Sequence, residues 1–140
     1  MSWTGYLARM SLISSPKKKR DLSWFPRLLG VATAGYSVAI IARPELFAKP
    51  TGLVQDGAPM PTAVVVGTRA IGGRDLASGL AMALAPKGAP LKAAVAVRVG
   101  SDLADLVVLG TGLPDPHART KAIGVASAWG ALCALSFWAA

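Results

Sequence analysis

Four apolar stretches divide this chain, and prolines punctuate them. The first runs from about Trp24 to Ala42 and stops at Arg43-Pro44, and the second runs from about Thr62 to Ala85 between Pro61 and Pro86-Lys87-Gly88. The third runs from about Leu91 to Gly110 behind Pro90, and the fourth from about Lys121 to Ala140. Each is near the roughly 20 residues that a helix needs to cross the hydrocarbon core of a bilayer. Proline suits a first helical turn and disfavours helix in the residue before it, so these prolines fall where helices start and stop. None of the stretches shows the period-2 alternation of a barrel strand. The expected fold is all-α: a four-transmembrane-helix bundle over residues 24–140, with spans at about 24–42, 62–85, 91–110 and 121–140, behind a basic N-terminal segment, residues 1–23.

A soluble helical domain is the competing reading, and composition argues against it. Only 16% of residues are charged while 53% are hydrophobic; soluble domains carry about 25% charged residues. Too few polar side chains remain to clothe four water-facing helices. Gly and Ala together make up 41 of the 140 residues, a density that suits close approach of helices in lipid. Gly72, Gly73 and Gly79 in the second span are the candidate packing positions.

The positive charge is concentrated at one end. Residues 1–27 hold six Lys/Arg against one Asp, which is not the basic stripe along a folded face that nucleic-acid binding requires. With four spans, the N-terminal segment and Lys87 and Lys92 share one side, giving eight positive residues against four (Arg43, Lys49, Arg119, Lys121) on the other. The positive-inside rule then puts both termini in the cytoplasm and the chain in the cytoplasmic membrane as a multi-pass protein. Lys17, Lys18, Lys19 and Arg20 are candidate contacts to anionic lipid. The stripe Trp3, Leu7, Met10 and Ser14 reads either as an interfacial helix or as part of a disordered tail. Its basic run follows the weakly apolar start, unlike that of a signal peptide.

Cys133 is the single cysteine and His117, in the Pro114-Asp115-Pro116-His117 connection, the single histidine. That excludes an internal disulfide, a Cys-x-x-Cys redox pair, a His-rich metal site and two axial haem histidines within one chain. No nucleophile–base pair or phosphate-cradling loop is present. The expectation is no catalytic residue, no metal and no cofactor.

The informative residues are charged groups inside the apolar stretches: Arg69, Arg74 and Asp75 in the second, and Arg98, Asp102 and Asp105 in the third. Each costs at least a few kcal/mol at membrane depth unless paired or hydrated. Arg98, Asp102, Asp105 and Leu109 follow helical spacing and share one face; Thr68, Gly72, Asp75, Gly79 and Met82 form a narrow stripe on the preceding helix. The short Pro86–Pro90 turn makes these helices antiparallel neighbours. Centring the turn near Gly88 predicts three pairs: Arg74 with Asp102, Asp75 with Arg98, and Arg69 with Asp105. Such a ladder either pins two helices in register or forms a hydrated site for a proton, an ion or a head group. Tyr36 and Ser37 in the first span either face this cluster or bond locally.

The stretch Arg69-Ala-Ile-Gly-Gly-Arg74-Asp75-Leu-Ala-Ser-Gly79, followed by Arg98-Val-Gly-Ser-Asp102-Leu-Ala-Asp105, resembles a small family of four-helix membrane proteins of unknown function abundant in actinobacteria. The likeness covers roughly residues 27–137. It implies the four-helix fold and transfers no activity. In layout the chain is also similar to DoxX-like four-helix proteins, which would imply quinone or thiol redox chemistry.

Three functions are compatible with these residues. The first is a non-enzymatic accessory or assembly subunit of a larger membrane complex, whose Arg/Asp cluster holds helices together. The second is a small oligomeric proton- or ion-coupled transporter using the same cluster. The third is a lipid- or quinone-binding protein with arginines on the polar head group. The partners implied are membrane lipids and either a membrane protein or further copies of the chain.

Overall fold

The computed structural model of the chain describes residues 21–55 and 57–140, so the basic run Lys17–Arg20 and the Trp3–Ser14 stripe lie outside the described residues. The described residues are all helical apart from their connections: α1 (Trp24–Ala42), α2 (Glu45–Ala48), α3 (Thr62–Leu84), α4 (Ala89–Gly112), α5 (Pro116–Ser136) and a closing 3-10 turn, Phe137–Ala139.

Proline sets the helix ends. Arg43, Ala85 and Leu113 are the C-terminal caps of α1, α3 and α4, each immediately precedes a proline, and none has helical backbone angles. The pyrrolidine ring clashes with a helical residue before it, which forces that exit. Gly88 at φ +96° turns the chain between α3 and α4, a conformation that a side chain would strain. Two boundaries differ from the sequence expectation. The last long helix starts at Pro116 rather than near Lys121, because Asp115 caps it: its side chain accepts the His117 N–H at 2.9 Å. His117 therefore sits in a first helical turn instead of a loop. Pro44 also seeds the single turn α2 inside what reads from sequence as a plain connection.

The long helices pack as two antiparallel pairs, α1 with α3 and α4 with α5, while α3 and α4 join the pairs. The α1–α3 seam is a backbone contact. A Cβ at Gly30 would lie 2.6 Å from the Gly79 carbonyl oxygen, and one at Gly79 2.8 Å from the Ala34 nitrogen. Further along, a Cβ at Gly72 would meet Ile41 Cγ1 at 2.7 Å. Gly73, expected as a third packing position, faces open space, with nothing within 4 Å of its Cβ position. It lies one residue, or about 100°, round the helix from Gly72 and so misses the seam.

Arginines tie the helix ends. Arg27 donates to the carbonyls of Ala83 and Ala85 at the end of α3, both at 2.8 Å, and Arg69 donates through Nε to the Ile41 carbonyl at the end of α1 at 3.3 Å. Arg119 donates to the Leu113 carbonyl beyond α4 at 2.8 Å. Each cation meets the last carbonyls of a neighbouring helix, which lack intrahelical donors and carry its partial negative charge.

Along its length the bundle divides in two. Near the Ala85–Ala89 turn, Leu29, Met82, Ala94, Val95 and Cys133 from all four long helices close into one core, with Phe25, Val99 and Phe137 against it. Towards the opposite end α1 and α5 stand apart.

Candidate functional site

Five charged side chains mark the boundary between these halves. Arg98 is the hub. It is 3% exposed, holds Asp102 one turn along α4 with Nε at 3.1 Å and a second contact from its terminal nitrogen, and reaches Asp75 on α3 at 2.8 Å. Its remaining direct contact is to Ser78 Oγ at 3.4 Å. Arg74 approaches from the other side, donating to Asp75 Oδ1 at 3.0 and 2.9 Å and to Asp105 Oδ2 at 2.7 Å. The network thus runs Asp102–Arg98–Asp75–Arg74–Asp105 across α3 and α4.

This arrangement keeps one expected pair, Asp75 with Arg98, and changes the other two. Arg74 bonds Asp105 rather than Asp102, because its guanidinium extends along the bundle axis beyond the residue level with it, and Arg98 already occupies both Asp102 oxygens. Arg69 does not meet Asp105; the Ile41 carbonyl at the end of α1 takes it instead. Among the described residues the network therefore contains three carboxylates and two guanidiniums, leaving one negative charge over. The six-charge balance expected from sequence does not hold locally.

The network forms one wall of a cavity of about 620 Å³ in the half where α1 and α5 separate. Asp75, Arg98, Asp102 and Asp105 line it on the α3–α4 side. Opposite stand Thr33, Tyr36 and Ile40 of α1, with Val125, Ala126 and Trp129 of α5. Leu46, Phe47 and Pro50, from α2 and the turn after it, cover the end away from the core. That gives the α2 segment a place in the site that sequence reading did not assign. Trp129 spans the gap at its narrow end, its indole N–H donating to Thr33 Oγ1 at 3.2 Å. Tyr36 and Val125 line the cavity yet are 52% and 72% exposed, so the cavity opens sideways between α1 and α5. Tyr36 thus faces the cluster, whereas Ser37 bonds locally to the Thr33 carbonyl at 2.7 Å.

Two helical segments, Trp24–Ala42 and Pro116–Ala139, are long and apolar enough to cross a membrane. The predicted packing stripe on α3 is buried throughout: Thr68, Gly72, Asp75, Gly79 and Met82. Outside the long helices, Lys87 lies 2.8 Å from Asp21 and, with the Ser23 N–H, holds its carboxyl well below the usual range.

No family profile, no curated protein and no solved structure matches the chain.

Proposed function

We propose that the chain is a four-span membrane protein that holds a small lipophilic molecule in the cavity between its helix pairs. The observation that carries this reading is the cavity itself. Its volume of about 620 Å³ lies within the roughly 300–1,000 Å³ of small-molecule sites. Its walls are mostly apolar, its carboxylates and Arg98 converge on one side, and it opens towards the surface that lipid would cover.

Support for four spans comes from length and surface. The helices α3 and α4 have 23 and 24 residues, enough for a core of roughly 30 Å at 1.5 Å per residue. Arg74, Asp75, Arg98, Asp102 and Asp105 pair with one another across the two helices, while Val66, Val97, Leu103, Val107 and Val108 stand exposed outside. With Lys/Arg placement as the guide, both termini and Lys87 face the cytoplasm and the cavity half faces away. In a cysteine-free background (Cys133→Ala), Gly57→Cys is then labelled by an impermeant maleimide on intact cells, and Lys87→Cys only after permeabilisation.

The function test is a thermal-stability screen of lipophilic compounds against the protein in nanodiscs. A bound ligand raises the midpoint in proportion to the logarithm of its concentration over Kd. The expected result is a compound that stabilises the parent chain and not Ala126→Phe, which fills the cavity from α5. Stabilisation of both alike would place binding elsewhere.

A second reading keeps support from one observation: Arg98 is fully engaged by its own chain. That is what a structural clamp in an accessory subunit needs. Purification in fixed stoichiometry with a larger membrane protein would favour it.

A further inference from the structure

We propose that the cavity takes a lipophilic cation, an apolar body carrying one positive charge, as hydrophobic amines and onium ions do. This rests on the cavity being a ligand site, and it adds the sign of the ligand's charge.

Three observations carry it. First, the network at the cavity wall has one carboxylate more than it has guanidiniums among the described residues. An uncompensated charge away from water is costly, and a cation in the cavity removes the cost. Second, the Arg98 and Trp129 donors at the wall are taken by the chain itself, while carboxylate oxygens remain open. The Arg98 nitrogens are directed at Asp75, Ser78 and Asp102. The Trp129 N–H is held by Thr33. The second oxygens of Asp75 and Asp105 receive no hydrogen bond from the described residues. An anionic head group would find no free Arg98 donor there, only hydroxyls and the exposed Lys121, which disfavours the arginine contact to a head group that the sequence suggested. Third, Tyr36, Phe47 and Trp129 line the same space, and aromatic faces attract cations, most strongly when desolvated.

The one cation of α5 in the lining, Lys121, is exposed and lies towards the covered end, one turn into the helix. Among the described residues no ion pair joins it to the network. A bare metal ion fits less well than an organic cation: among the described residues no three His, Cys, Asp or Glu side chains are placed to hold one.

Tetraphenylphosphonium and tetraphenylborate test this directly, being nearly identical in shape and opposite in charge. Saturable binding is measured on the full chain in nanodiscs of neutral lipid, with empty nanodiscs as background. The phosphonium should saturate at one per chain and the borate should show no saturable component. Asp105→Asn should weaken phosphonium binding by about tenfold or more by removing the surplus charge, and Asp105→Glu should retain it. Asp105 suits the test because it leaves the Arg98 hub untouched. Saturable borate binding that Ala126→Phe abolishes, without phosphonium binding, would overturn the charge assignment while leaving the cavity reading intact. Failure of both probes would also overturn it, and failure of the compound screen as well would remove the ligand site.

Discussion

The two halves of this bundle are built from the same four helices and close in different ways. Near the Ala85–Ala89 turn, apolar side chains from all four meet, and the α1–α3 seam tightens until Gly30 and Gly79 touch backbone to backbone. In the other half the same pairs diverge, and the space between them is bounded by a charged network rather than filled. Small residues let helices approach; buried charges hold them at a set distance. A chain with little polar surface can thus have a filled end and a hollow one.

The sharpest way to break this contrast is at the hub. Arg98→Gln strands Asp102 in the middle of the bundle and leaves Asp75 to Arg74 alone, and removing one partner of a buried pair costs about 3–5 kcal/mol. The expected outcome is loss of folded, monodisperse protein on size exclusion. Arg74→Gln should be milder, because the Arg74 side chain is 38% exposed and water can replace part of what it supplies.

The glycine seam comes next. Gly30→Val puts a branched side chain where even a Cβ would sit 2.6 Å from the Gly79 oxygen, and overpacking of this kind costs about 1–3 kcal/mol. Gly73→Ala meets nothing within 4 Å and should raise stability by up to about 1 kcal/mol through helix propensity. Opposite signs for two glycines of the same protein, read from thermal melts in detergent, would confirm that the seam lies on one face of α3. Equal effects would refute it.

The smallest effect lies outside the bundle. Lys87→Met should return the Asp21 carboxyl towards its ordinary range, read by NMR titration of that carboxyl. A carboxyl held low in the folded state contributes stability above its unfolded pKa of about 4 and loses it as pH falls through the lowered value. The contact is fully solvated, so melting near neutral pH should not change.

Much of the scaffold is legible in the residues. The pre-proline positions Arg43 and Ala85 mark two helix ends because proline acts locally, and Leu113, before Pro114, closes a third that runs past the expected end near Gly110. The Asp75–Arg98 pair follows from the antiparallel turn at Gly88. The misplaced partners have physical reasons. Equal-depth bookkeeping ignores how far a guanidinium reaches along the axis, so it sends Arg74 to the wrong aspartate. It also counts only side chains, so the Ile41 carbonyl at the end of α1, which takes Arg69, is invisible to it. The cavity is a property of the space between two helices, α1 and α5, which both line it while α1 packs on α3 and α5 on α4. Nothing in the Ala-rich sequence of either marks that space, and the single turn α2 that covers it is too short to leave a periodic signal.

The most direct test of the central claim, that the hollow half holds a lipophilic molecule, is native mass spectrometry of the full chain released from nanodiscs made with native lipid, beside Ala126→Phe. The account predicts one small-molecule adduct per chain on the parent protein and none on the filled variant. Identical spectra for the two, whether bare or equally decorated with lipid, would contradict it.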